Sequence, residues 1–182
     1  GAGMGCLIGL YGHYDDVPVL NSAYLGTLML SISGLCTGYW LYRNREQRAQ
    51  YETGADVVFT IWGVAWWLLG GLREIDRFAP SVGNGASLSF VALTIALLAV
   101  LSLKREWRMP LLIATYLPLI CTIFALAAAV GLAHPFAEWG AVGWVLLFVA
   151  HFWMLRLGEQ REIQWLDWFH AGAIWVFTLI VA

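Results

Sequence analysis

Leu111-Leu-Ile-Ala-Thr-Tyr-Leu-Pro-Leu-Ile-Cys-Thr-Ile-Phe-Ala-Leu-Ala-Ala-Ala-Val-Gly-Leu132 runs without a single charge. As a helix it is about 33 Å long at 1.5 Å per residue, enough to cross the ~30 Å hydrocarbon core of a bilayer. It is apolar on every side and so offers water no face. Barrel strands would instead alternate over about ten residues. The stretch reads as a transmembrane helix.

Working outward, Ser22–Tyr42, Ala55–Leu72, Ala86–Leu103, Trp139–Leu157 and Leu166–Ala182 repeat the pattern, with Asp56 and Asp167 near the starts of their runs. Those carboxylates suit the positive end of a helix as caps. The expected fold is all-α, a polytopic transmembrane helical bundle of six spans behind an N-terminal helix stub. Residues 1–182 form a single membrane region. Composition agrees. The 182 residues are 60% hydrophobic and 12% charged, against about 45–50% and 25% in soluble proteins. That apolar composition excludes a cytosolic enzyme, a disordered segment and a nucleic-acid module, and a formal charge of −2 gives phosphates nothing to hold.

Gly1-Ala-Gly-Met-Gly-Cys-Leu-Ile-Gly-Leu10 lacks the leading positive charge of a signal peptide. It reads as the last turns of a helix, and the chain as a piece of a longer polytopic protein. Cys6, Cys36 and Cys121 lie in apolar runs without metal-ligand spacing and are expected to be buried packing thiols. No metal or other cofactor is expected.

The breaks between spans are short, so function must lie within or at the face of the membrane. Arg43, Arg45, Arg48, Lys104, Arg105, Arg108, Arg156 and Arg161 fall in alternate breaks, while the others hold only Arg73 and Arg77. Short loops rich in Lys and Arg stay cytoplasmic, which places loops 43–54, 104–110 and 156–165 inside. Trp40, Tyr42, Trp107, Trp153, Trp165 and Trp168 then fall at inner edges, and Trp139 and Trp144 at an outer one, as headgroup anchors. Gly34 and Gly38 share one helix face, as do Gly1, Gly5 and Gly9, and Ala125 and Ala129 repeat the spacing later. Small residues four apart let backbones approach in lipid. Pro118 removes the bond to the Ala114 carbonyl and is expected to kink its helix.

Polar chemistry concentrates at the outer face. Arg73-Glu-Ile-Asp-Arg77 ends a span with four charges in five residues. A helix continuing to Phe78 would pair Arg73 with Asp76 and Glu74 with Arg77. The two arginines, kept on the side that the orientation rule disfavours, could pin neighbouring carboxylates or grip an anionic headgroup or sugar acid. Asp15, Asp16, Glu138, His13 and His134 lie on the same expected side. Arg73, Glu74, Asp76, Arg77, Asp15, Asp16 and His134 therefore form the candidate outer-face cluster, weighed against a solvated helix end with internal ion pairs. His151 and His170 fall at one depth in consecutive helices and form a candidate intramembrane pair, for mutual hydrogen bonding or, less readily, haem ligation.

These residues resemble a family. Asn21-Ser-Ala-Tyr-Leu-Gly26 opens a span, Trp66-Trp-Leu-Leu-Gly-Gly-Leu-Arg-Glu-Ile-Asp-Arg77 closes one, and His134-Pro135 precedes a Trp-rich span carrying His151 and Arg156. With Trp168-Phe-His170-Ala ahead of Trp175, the set is similar to the C-terminal part of the bacterial "domain of unknown function 2339" proteins. The resemblance covers nearly the whole chain. It implies a fragment of a large multi-pass inner-membrane protein and no assigned activity.

The leading expectation is an uncharacterised membrane module that is not an enzyme: a helical scaffold, or part of a transport or envelope-related protein. Its partners would be membrane lipids and further transmembrane helices of the same longer chain, with no nucleic acid. The alternative is a membrane-embedded enzyme acting on a lipid-linked substrate at the outer face, with Asp15, Asp16, Glu74 or Asp76 as acid or base and the arginines on phosphate. A haem protein stands third.

Overall fold

The computed structural model describes residues 17–47, 54–130 and 136–159, and every described element is helical. Five long helices follow one another: α1 (Ser22–Arg43), α2 (Ala55–Phe78), α3 (Gly83–Arg105), α4 (Arg108–Val130) and α5 (Gly140–Glu159). Short 3-10 turns lie at Arg45–Gln47 and Pro80–Val82. Four of these helices, α2 to α5, are long and apolar enough to cross a membrane, which fits an integral membrane protein. The expectation of six spans is met only to that extent. The N-terminal stub and Leu166–Ala182 lie outside the described residues. α1 has spanning length, but threonine, serine and glycine dilute its apolar surface.

The chain divides into two compact units, residues 1–80 and 81–182. In the first, α1 and α2 form an antiparallel hairpin. Asn21 meets Glu74, a side chain at Gly70 would strike Thr27, Gly34 lies on Gly63, and Gly38 lies on Thr60. Each step along α1 is matched by a step back along α2. Beyond Ala23, the buried positions of α1 are Thr27, Ser31, Gly34, Gly38 and Leu41, and those of α2 include Thr60, Gly63, Gly70 and Glu74. Steps of three and four residues in alternation make a heptad seam, the period at which two helices wind around each other left-handedly. Built almost wholly from small residues, the seam brings the backbones together. A Cβ on Gly34 would lie 2.8 Å from the Gly63 Cα, and one on Gly63 would lie 2.9 Å from the Ser31 carbonyl oxygen.

In the second unit α3 packs against both α4 and α5. α3 runs parallel to α5: Gly85 near the start of α3 sits under Trp139, and Gly143 near the start of α5 rests on Leu88. The core is Ile95, Leu98 and Ala99 of α3, Leu111, Ala114 and Leu117 of α4, and Leu147, Met154 and Leu155 of α5. Outward faces are as apolar as the core. Ile123, Phe124, Val145 and Val149 are exposed, which is the pattern of a helix whose solvent is lipid.

Buried threonine hydroxyls are satisfied within their own helices. Thr60 Oγ1 donates to the Asp56 carbonyl at 2.5 Å, Thr94 to Phe90, Thr115 to Leu111 and Thr122 to Pro118, each at 2.8 Å. Each hydroxyl bonds one turn back, so it enters the apolar interior without a stranded donor. α4 is helical through Pro118.

Several expectations need correction. The expected Arg73–Gly85 break is helical up to Phe78. Leu72-Arg-Glu-Ile-Asp-Arg-Phe78 holds no helix breaker, and the helix stops only where Ala79 precedes Pro80, an extended-biased position. The seven-residue break 104–110 shrinks to Glu106 and Trp107. Glu106 takes a left-handed φ of 54°, and the amides of Glu106 and Trp107 both return to the Ser102 carbonyl, so the helix end closes on itself. Trp107 is thereby only 1% exposed and belongs to the core rather than to a headgroup belt. Trp144 is likewise buried, stacked on Phe148 at 5.9 Å. Trp40, Trp139 and Trp153 are exposed, as anchors require. Cys36 is exposed on α1 rather than buried, Cys121 is half-buried, and Cys6 lies outside the described residues.

Candidate functional site

The polar feature with a built geometry is the far end of the α1–α2 hairpin. Asn21 opens α1. Its Oδ1 accepts from the Tyr24 amide at 2.8 Å, filling one of the donors that a helix start leaves open. The same amide group then reaches across. Nδ2 donates to Glu74 Oε1 at 2.8 Å and to the Val17 carbonyl at 3.3 Å. Asn21 is fully buried, so its donors and acceptor are all spent on cap, loop and partner helix.

Glu74 sits in the last turns of α2, 8% exposed. Its second oxygen, Oε2, accepts from the Val19 amide at 2.9 Å. A carboxylate removed from water must find donors, and here a side-chain amide and a backbone N–H supply them. Hydrogen bonds to an ionised acceptor are the stronger class. Glu74 therefore bonds across the hairpin.

Other members of the candidate cluster flank it on the same helix. Arg73, Asp76 and Arg77 are exposed. The Arg77 guanidinium stands 5.4 Å from the Phe78 ring centroid, in cation–π range. Asp15, Asp16, His13 and His134 lie outside the described residues. Glu138 belongs to the second unit, where its carbonyl accepts from the Gly85 amide at 3.0 Å. Of the intramembrane pair, His151 is 3% exposed on α5, with its ring 6.2 Å from that of Phe152. His170 and Asp167 lie outside the described residues. Among the described residues no three His, Cys, Asp or Glu side chains gather as a metal would require.

Asn21 and Val19 are the site residues that inspection of charged groups passes over. Asn21-Ser22 directly before an apolar run is a helix-start signal, and it could have marked Asn21 as a cap. Nothing in the sequence gives the second job of its amide. The Val19 amide leaves no trace in side-chain chemistry at all.

No family model, no curated protein and no solved structure matches the chain.

Proposed function

We propose that the chain is a non-catalytic helical module of a larger bacterial inner-membrane protein, serving a transport or envelope-related assembly. It packs against further transmembrane helices of the same longer chain, as its resemblance to the "domain of unknown function 2339" proteins implies. The observation that carries this reading is the fate of Glu74. A general acid or base must reach a substrate proton, yet both oxygens of this carboxylate are engaged inside the hairpin and its side chain is closed off from solvent. The hydroxyls inside the helices support the same reading, because each is spent on its own backbone. What the module offers its surroundings is apolar helix surface, such as Phe124 on α4 and Val145 on α5.

A photo-cross-linking amino acid placed at Phe124 or at Val145 in the full-length protein tests this in membranes. Adducts to other helices of the same chain are expected from at least one of the two positions. Adducts to lipid alone at both would remove the scaffold reading.

In this proposal loops 43–54, 104–110 and 156–165 face the cytoplasm. The grouping of Lys104, Arg105 and Arg108 around the α3–α4 turn, at the same end of the unit as Arg156 on the parallel α5, supports it. Ser81→Cys should react with an impermeant thiol reagent on intact cells, and Gln47→Cys only after permeabilisation. The opposite pattern would invert the map.

A further inference from the structure

Glu74 holds more than a helix pair. Val19 has φ of +65°, a region that β-branched residues rarely enter. The Leu20 amide donates to the Pro18 carbonyl at 2.7 Å, closing a three-residue γ-turn in its rare positive-φ form, with Val19 at the apex. The side chains of Val17, Val19 and Leu20 at this turn are all exposed. Among the described residues its tie to the rest of the unit is the carboxylate, through the Val19 amide on Oε2 and, through Asn21, the Val17 carbonyl. Backbone held in a sparsely populated conformation persists only where its surroundings enforce it.

We propose that residues 17–20 form a latched strap: the ionised Glu74 carboxylate holds it in the strained turn, and protonation of Glu74 releases it. Oε1 stays with the buried Asn21 donor, so the proton goes to Oε2 at the edge of the structure, where the neutral hydroxyl is a far weaker acceptor for the Val19 N–H. The amide loses its partner, and Val19 relaxes to an extended conformation. Asn21 keeps its cap on α1 through Oδ1, so the hairpin outlasts the release. Among the described residues, charged or titratable side chains bear on Glu74 from α1 and from its own helix. From α1 the Tyr24 phenol feels its charge. On its own helix Arg73, Asp76 and Arg77 flank it, all exposed. The strap itself, Val17-Pro-Val-Leu20, carries no titratable side chain. The proposal is independent of whether the module is catalytic, because it concerns what the carboxylate holds.

The test uses the full chain in lipid nanodiscs, with the native cysteines replaced by serine and a nitroxide on Leu20→Cys. Spin-label mobility is recorded from neutral pH down through the range in which carboxylates titrate. On acidification the rotational correlation time at position 20 should shorten by about threefold, as an ordered segment becomes a mobile loop. A second label on Ile32→Cys, mid-helix in α1, should not change. Glu74→Gln keeps the shape but has one acceptor oxygen, which the buried Asn21 donor takes; its NH2 then faces the Val19 N–H, so its strap should be mobile at every pH. A label at position 20 that stays immobile in acid, or in Glu74→Gln, would overturn the latch. So would equal loosening at position 32, because the strap would then not move as a separate element.

Discussion

Gly63→Leu should destabilise the α1–α2 hairpin more than any other single change in the first unit. The space into which the new side chain would grow is occupied by backbone. A Cβ alone would come 2.7 Å from the Leu35 amide nitrogen and 2.9 Å from the Ser31 carbonyl oxygen. Real Cβ contacts do not come that close, and a main chain cannot rotate aside as a flexible side chain can. The helices must separate, and separation forfeits the close contact along Thr27, Ser31, Gly34 and Gly38. In lipid no hydrophobic drive restores what packing loses. The expected cost is at or above the upper end of the ~1–3 kcal/mol typical of overpacked cores. It is read as lowered resistance to denaturation of the purified protein in detergent. The exposed substitutions Leu25→Ile and Ile32→Leu supply the neutral comparison. If Gly63→Leu unfolds at the parent's midpoint, the seam is not a backbone contact and the hairpin described above is wrong.

Glu74→Ala should rank second. Removing the carboxylate strands the Asn21 Nδ2 and Val19 N–H donors together, one fully buried and one at the edge of the structure. Hydrogen bonds to a charged group contribute about 1.5–3 kcal/mol each. Water can reach the Val19 amide but not Asn21, so a net loss of about 2–4 kcal/mol is expected rather than the full sum. The measurement is the same denaturation, with Asp76→Ala beside it. Asp76 lies two residues away but is exposed, and its loss should change stability by less than about 0.5 kcal/mol. Equal effects from the two variants would mean that the clamp adds nothing beyond surface charge.

The helical, membrane-crossing character was legible because it rests on length and apolarity, which the sequence states outright in stretches such as Leu111–Leu132. Helix ends were less so. Arg73-Glu-Ile-Asp-Arg77 looks like a loop when charge is taken as the boundary, yet charge tells where the hydrocarbon ends and not where helical hydrogen bonding ends. Trp107 looked interfacial for the same reason. It lies among Lys104, Arg105 and Arg108, and only the turn that folds it back to Ser102 shows it to be core. Gly34 and Gly38 were read as a small-residue contact and they are one. The seam is longer, because it includes Thr27, Ser31 and Thr60, whose hydroxyls look polar until each is seen to bond within its own helix or to lie buried against the partner. The Asn21–Glu74 bond joins residues 53 positions apart, and no local pattern announces a pairing of that range.

The connection between α3 and α4 has one more consequence, for biogenesis. With only Glu106 and Trp107 between them, neither helix can settle in the bilayer while the other waits outside it. Lys104, Arg105 and Arg108 crowd this tip, and in the proposed orientation they stay on the cytoplasmic side, because dragging three cations through hydrocarbon is costly. The two helices should therefore leave the translocation machinery side by side, as a single preassembled insertion unit.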